Sequence, residues 1–152
     1  MPELLGLPLH PAVVHFPLAG SVFAALLLAI GLRDHGKGLA YLNAAIPVLV
    51  VTLLSVPLAI WTGHAWAEAS GLLPDGGWLP AASVLKGFLR RHVLLASAGS
   101  ACLLITLPLA IAARNRRLTA ALALVSALLG AGLLSAAGHQ GGMMVHRPSN
   151  VR

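Results

Sequence analysis

The sequence predicts an all-α membrane protein, an up-down bundle of four transmembrane helices with both termini on the same side. Three observations predict it. Of 152 residues 58% are hydrophobic and only 9% charged, a balance foreign to soluble domains. Four stretches, Leu4 to Leu32, Gly38 to Ala67, His92 to Ala113 and Leu118 to His146, carry no Asp, Glu, Lys or Arg, and each exceeds the roughly 20 apolar residues that cross a bilayer. The turns between the first and second stretches and between the third and fourth are short, which makes each pair an antiparallel hairpin.

The first helix is expected over 11–32, because Pro11 suits a first helical position where its missing N–H is no loss. It ends at Gly31-Leu32-Arg33-Asp34. Its leading residues, Met1 to Leu4, hold no positive side chain and its apolar run is too long for a signal peptide, so it is read as a retained span. The second helix is expected over 39–66, the third over 90–113 and the fourth over 118–138, after which Gly138, Gly141 and Gly142 break it. Pro47, Pro57 and Pro108 lie inside spans as kinks, which membrane helices tolerate. Residues 69–88 form the one long connection, with a turn at Pro74-Asp75-Gly76-Gly77 and an amphipathic surface helix over 81–89. Trp61, Trp66 and Trp78 sit where an interfacial aromatic belt is expected. The whole of 1–152 reads as a single domain in contact with the lipid bilayer.

The formal net charge of +6 comes from Arg and Lys at helix ends. They anchor helices at headgroups, so no nucleic-acid partner is expected. Arg33, Lys37, Arg114, Arg116 and Arg117 crowd the two short turns, while Lys86, Arg90, Arg91, Arg147 and Arg152 are spread through longer segments. The positive-inside rule weights short loops. The turns are therefore expected in the cytoplasm, with both termini outside. The lone Cys102 has no partner for a disulfide and reads as a small apolar core residue.

Up-down topology sends six of the seven histidines to one membrane face. His10 and His15 open the first span, His64 closes the second, His92 opens the third, and His139 and His146 follow the fourth. Only His35, in the first turn, lies opposite. Ionisable side chains near the membrane core are costly and usually functional, and here every helix delivers at least one imidazole to the same face. The spacing from His15 to His64 nearly equals that from His92 to His139, which would set these four about a pseudo-twofold axis. Glu68, one turn after His64, is a candidate to orient it.

Few carboxylates accompany the imidazoles, which argues against calcium and magnesium, cations that prefer oxygen. Zinc and copper accept imidazole. So does haem iron, which takes two axial histidines from facing helices of a bundle. Gly99 lies two turns after His92 and Gly132 two turns before His139, and each would leave a gap for a flat macrocycle on the ligand's helix face, although small residues also serve plain helix packing. No phosphate-binding loop, cysteine pair or hydrolase triad appears.

The segment His10-Pro11-Ala12-Val13-Val14-His15-Phe16-Pro17-Leu18, together with Arg91-His92 and Gly138-His139-Gln140-Gly141-Gly142 followed by His146, resembles the domain of unknown function 2231 family of bacterial integral membrane proteins. The resemblance runs over essentially the whole chain, with a departure at His64, where many members carry an acidic or aromatic pattern. It implies four spans of the bacterial inner membrane. Members are sometimes fused to c-type cytochrome or extracytoplasmic dehydrogenase domains, which implies a periplasmic histidine face and a role in passing electrons.

The leading expectation is an electron-transfer subunit rather than a stand-alone enzyme. It would bind haem b through pairs drawn from His15, His64, His92 and His139, with His10 and His146 as further ligands, propionate contacts or proton-transfer groups. Its partners would be a periplasmic cytochrome c or dehydrogenase on one side and quinone or another membrane carrier on the other. The chain would act as a subunit of a larger complex or as a homo-oligomer. The alternatives are a zinc or copper site built from the same histidines, and a cofactor-free structural subunit of a respiratory complex.

Overall fold

The computed structural model describes residues 3–4, 7–34, 36–73, 85, 87–113 and 116–146. A two-residue ladder pairs Glu3–Leu4 antiparallel with Leu7–Pro8. The other elements are helices: α1 (Leu9–Val13), α2 (His15–Arg33), α3 (Gly38–Ala69), α4 (Gly87–Ala112) and α5 (Arg117–His146). The interruption at Val14 has a local cause. Pro17 has no N–H to give to the Val13 carbonyl, so the ladder skips a rung. The bonds from Val14 N to His10 O and from Leu18 N to Val14 O carry the chain on. Among the described residues four helices, Leu9–Arg33, Gly38–Ala69, Gly87–Ala112 and Arg117–Met144, are long and apolar enough to cross a membrane.

The buried positions follow a three-four repeat along each helix, and most are small. On α2 they are Pro17, Ser21, Ala24, Ala25 and Leu28; on the first half of α3, Gly38, Leu42, Ala45, Leu49 and Thr52; on α4, Gly99, Leu103, Thr106 and Ala110. On α5, Ala120, Ala123, Ala127 and Ala131 take the same places. Large side chains point the other way: Leu54, Leu58, Leu104, Ile105, Leu118, Leu128 and Leu129 are exposed. A water-soluble bundle would reverse this, because its leucines gain by leaving water. In lipid the tails are as apolar as leucine, so close approach of small residues decides the packing. The molecule is a multi-pass membrane protein whose outer leucines meet the bilayer.

The main packing pairs are α4 on α5 and α2 on α3, while α2 also touches α5 and α3 touches α4, so the four long helices close into a ring. Gly31 lies against Gly38 and Leu42 where α2 gives way to α3. Asp34 Oδ1 accepts from the backbone N–H groups of Gly36 (2.8 Å) and Lys37 (2.9 Å), closing that turn. Arg117 donates to the Leu32 carbonyl at 3.3 Å, so the connection into α5 sits beside it. Buried hydroxyls are satisfied within their own helices: Ser21 donates to Leu18 O, Thr52 to Val48 O and Thr106 to Cys102 O, as an interior without water demands.

α5 runs on to His146, past Gly138, Gly141 and Gly142 where the sequence suggested a break. Each of these glycines disfavours helix by up to about 1 kcal/mol relative to Ala. Tertiary contacts hold the segment nonetheless: Ala137 and Met144 are buried, and Met144 packs with Leu85 and Leu89 under Trp66 and Phe88. The other long helices begin or end within a few residues of the expected positions. The expected surface helix over 81–89 and the turn at 74–77 fall largely outside the described residues.

Candidate functional site

The site lies where α1, the last third of α3, the start of α4 and the last third of α5 meet. His10 reaches from α1 to α3, where its Nδ1 lies 3.1 Å from Thr62 Oγ1. The Thr62 hydroxyl has one proton, and it donates that proton to Leu58 O at 2.9 Å. With that proton on the carbonyl, the neutral His10 ring donates from Nδ1 and keeps a lone pair on Nε2. The ring fits because the next residue is Gly63: a Cβ there would come within 2.8 Å of His10 Cε1.

His92, on the second turn of α4, bonds through Nδ1 to the Ala137 carbonyl of α5 at 2.8 Å. A carbonyl only accepts, so Nδ1 again carries the proton and Nε2 the lone pair. Gly141 gives the ring room one turn further along α5, where a Cβ would sit 3.4 Å from His92 Nδ1. The two rings stand 6.2 Å apart, centre to centre, with their planes at 79°. An imidazole whose Nδ1–H is held by a protein oxygen is the tautomer that metal-ligating histidines adopt, since the bond orients the ring and makes Nε2 more basic.

The remaining histidines are distributed differently. His15 is exposed on the first turn of α2, where its Nδ1 bonds to the Pro11 carbonyl, and its ring lines the end of a groove between α2 and α3. His64 is half-buried on α3, and His139 is exposed on α5. The His146 side chain and all of His35 lie outside the described residues. Among the described residues no group of three or more His, Cys, Asp or Glu side chains is placed to hold a metal ion. Among the described residues the histidine face shows a close pair, His10 with His92.

The two glycines differ as well. Gly99 is buried at the α4–α5 contact, where an added Cβ would lie 2.9 Å from Leu134 Cγ and 3.1 Å from the Gly130 carbonyl. It serves helix packing, and its space is filled by protein. Gly132 is exposed with nothing within 4 Å of an added Cβ. Glu68 is exposed at the end of α3, Trp61 is exposed, and Trp66 is half-buried in the Met144 cluster; Trp78 falls outside the described residues. Cys102 is half-buried, and its carbonyl accepts from both Thr106 and Ser126 at 2.8 Å.

Gln140 entered the sequence reading only as part of the Gly138-His139-Gln140-Gly141-Gly142 motif. Gln140 Oε1 is buried without a hydrogen-bond partner. Helical register sets Gln140 on the inward side of α5 between Ala137 and Met144, one turn from the carbonyl that holds His92. A buried acceptor left unpaired is costly.

No protein-family model matches the chain, and no curated protein or solved structure is found to be similar to it.

Proposed function

We propose that the chain is a haem b-binding membrane subunit that relays electrons between a periplasmic redox partner and quinone or another membrane carrier, with His10 and His92 as the axial pair. The His10–His92 pair carries this reading. Two neutral imidazoles complete the axial ligation of a haem iron, whereas tetrahedral zinc takes at least three protein donors. The described residues offer two and no group of three. The two rings stand 6.2 Å apart, centre to centre, and would hold the group from α1 and α4.

The donor chemistry also fits. Each ring has its Nδ1 against a protein oxygen, the Thr62 hydroxyl for His10 and the Ala137 carbonyl for His92. Bound haem supplies a one-electron carrier. The chain's own part is to hold and orient two imidazoles, through Thr62 on α3 and Ala137 on α5. In this reading the pair replaces the one-per-helix set of His15, His64, His92 and His139, of which only His92 is retained. Gly99 and Gly132 drop out as macrocycle gaps.

The up-down arrangement, with both termini and the histidine end on the periplasmic side of the inner membrane, belongs to the same proposal. It is supported by the contacts at either end of the ring and by the basic residues of the short turns, Arg33, Lys37, Arg116 and Arg117. The resemblance to the domain of unknown function 2231 family supports the electron-passing role and a partner of the cytochrome c or dehydrogenase type. The test is haem and metal content of protein purified in detergent from haem-replete cells. The expected result is haem b at about one per chain. Colourless protein carrying stoichiometric zinc or copper would move the assignment to the bare-metal alternative.

A further inference from the structure

The groove between α2 and α3 has a chemistry of its own. It has a volume of about 570 Å³ and is lined by His15, Phe16, Gly20, Pro47, Val51 and Ser55 among others. Its floor is closed at Gly20, where an added Cβ would overlap Thr52. With Gly20 facing Thr52, the register sets His15 and Ser55 at one end and Pro47 and Val48 at the other. The run from residue 47 to 55 is about 12 Å of helix. The apolar end points towards the middle of the bilayer, and the imidazole sits near its edge.

Its few polar groups all accept. Thr52 and Ser55 have spent their hydroxyl protons on the carbonyls of Val48 and Thr52, each at 2.6 Å. The His15 ring has its Nδ1–H on the Pro11 carbonyl, and in its neutral form Nε2 presents a lone pair. A guest must therefore be apolar along its length and carry a hydrogen-bond donor at its head. The ester and phosphate oxygens next to a phospholipid's acyl chains bring acceptors and are mismatched, and its headgroup donors lie beyond them. A lipid-soluble hydroquinone brings a phenolic O–H on an aromatic ring that Phe16, 66% exposed at the mouth, can stack against.

We propose that this groove is a binding site for an isoprenoid quinol, its tail lying along α3 towards Pro47 and its hydroxyl donating to Nε2 of His15. The proposal identifies the membrane carrier of the electron-relay reading and rests on that reading for its purpose. The binding itself involves neither His10 nor His92.

The test is equilibrium binding of a decyl-substituted benzoquinol and of its oxidised quinone to the full chain in nanodiscs, prepared with and without haem. The expected result is saturable binding of the quinol at one per chain, at least tenfold tighter than the quinone, in both preparations. Val51→Trp, at a position 64% exposed to lipid, should fill the groove and abolish binding without unfolding the bundle. His15→Phe should remove the preference for the reduced form, and His15→Gln, which keeps an acceptor, should restore part of it. Equal affinity for both forms, or binding indifferent to Val51→Trp, would overturn the proposal. So would displacement of the quinol by excess phospholipid alone, which would make the groove an acyl-chain site, or loss of binding only on dilution to monomer, which would make it a contact between copies. Haem content, read separately from the visible spectrum, tells a failure here from a failure of the relay reading.

Discussion

At His10 and His92 the ring positions are decided by neighbours that hold no charge. The sequence delivers both imidazoles to one end of the bundle, together with His15, His64 and His139. Which two approach depends on how each helix is rotated, and that rotation is set by packing. The one signal available was Gly63 beside Thr62, a slot next to a hydroxyl, which marks α3 as the floor under His10. The two glycines beneath the rings should respond differently. Gly63→Ala puts a methyl group 2.8 Å from the His10 ring and should reduce haem retention several-fold, while Gly141→Ala meets His92 at ordinary contact distance and should retain it. Visible absorbance per chain after purification reads both. Gln140→Leu should raise the thermal stability of the haem-free protein, because an unsatisfied buried acceptor costs about 1–3 kcal/mol; an unchanged or lower melting temperature would remove Gln140 from the account.

At the scale of elements, four apolar runs separated by charged turns were legible, because lipid demands long helices with every backbone group satisfied. The end of the last helix was not. Three glycines within five residues read locally as a break, and the contacts that outweigh them come from α4, through His92 on Ala137 and through Leu89 on Met144. Glycines looked alike in the sequence as well, although Gly99 sits in a tight contact and Gly132 in open space. Gly99→Ala should lower the melting temperature in detergent, since forcing a methyl group into a filled contact costs about 1–3 kcal/mol. Gly132→Ala should leave it unchanged or raise it, by the helix preference of Ala over Gly of up to about 1 kcal/mol. A thermal shift measurement on the pair separates the packing role from the general cost of altering a glycine.

For the whole molecule, composition alone identified the membrane class, and the inverted pattern of small residues inside and leucines outside agrees with it. Orientation rests on charge. Alkaline phosphatase fused after residue 152 should be active in a bacterial host, and the same enzyme inserted in the turn at 34–37 should not be; the reverse pattern would put the histidine end in the cytoplasm. The central claim is that one pair of imidazoles, from α1 and α4, defines the site. It is tested most directly by reduced-minus-oxidised visible spectra of the detergent-purified protein and four variants. The account predicts the narrow bands of six-coordinate low-spin haem b in the parent chain, in His64→Ala and in His139→Ala, with their loss in both His10→Ala and His92→Ala. Bands that survive without His10 and His92, or a parent chain with no haem bands when haem is plentiful, would contradict it.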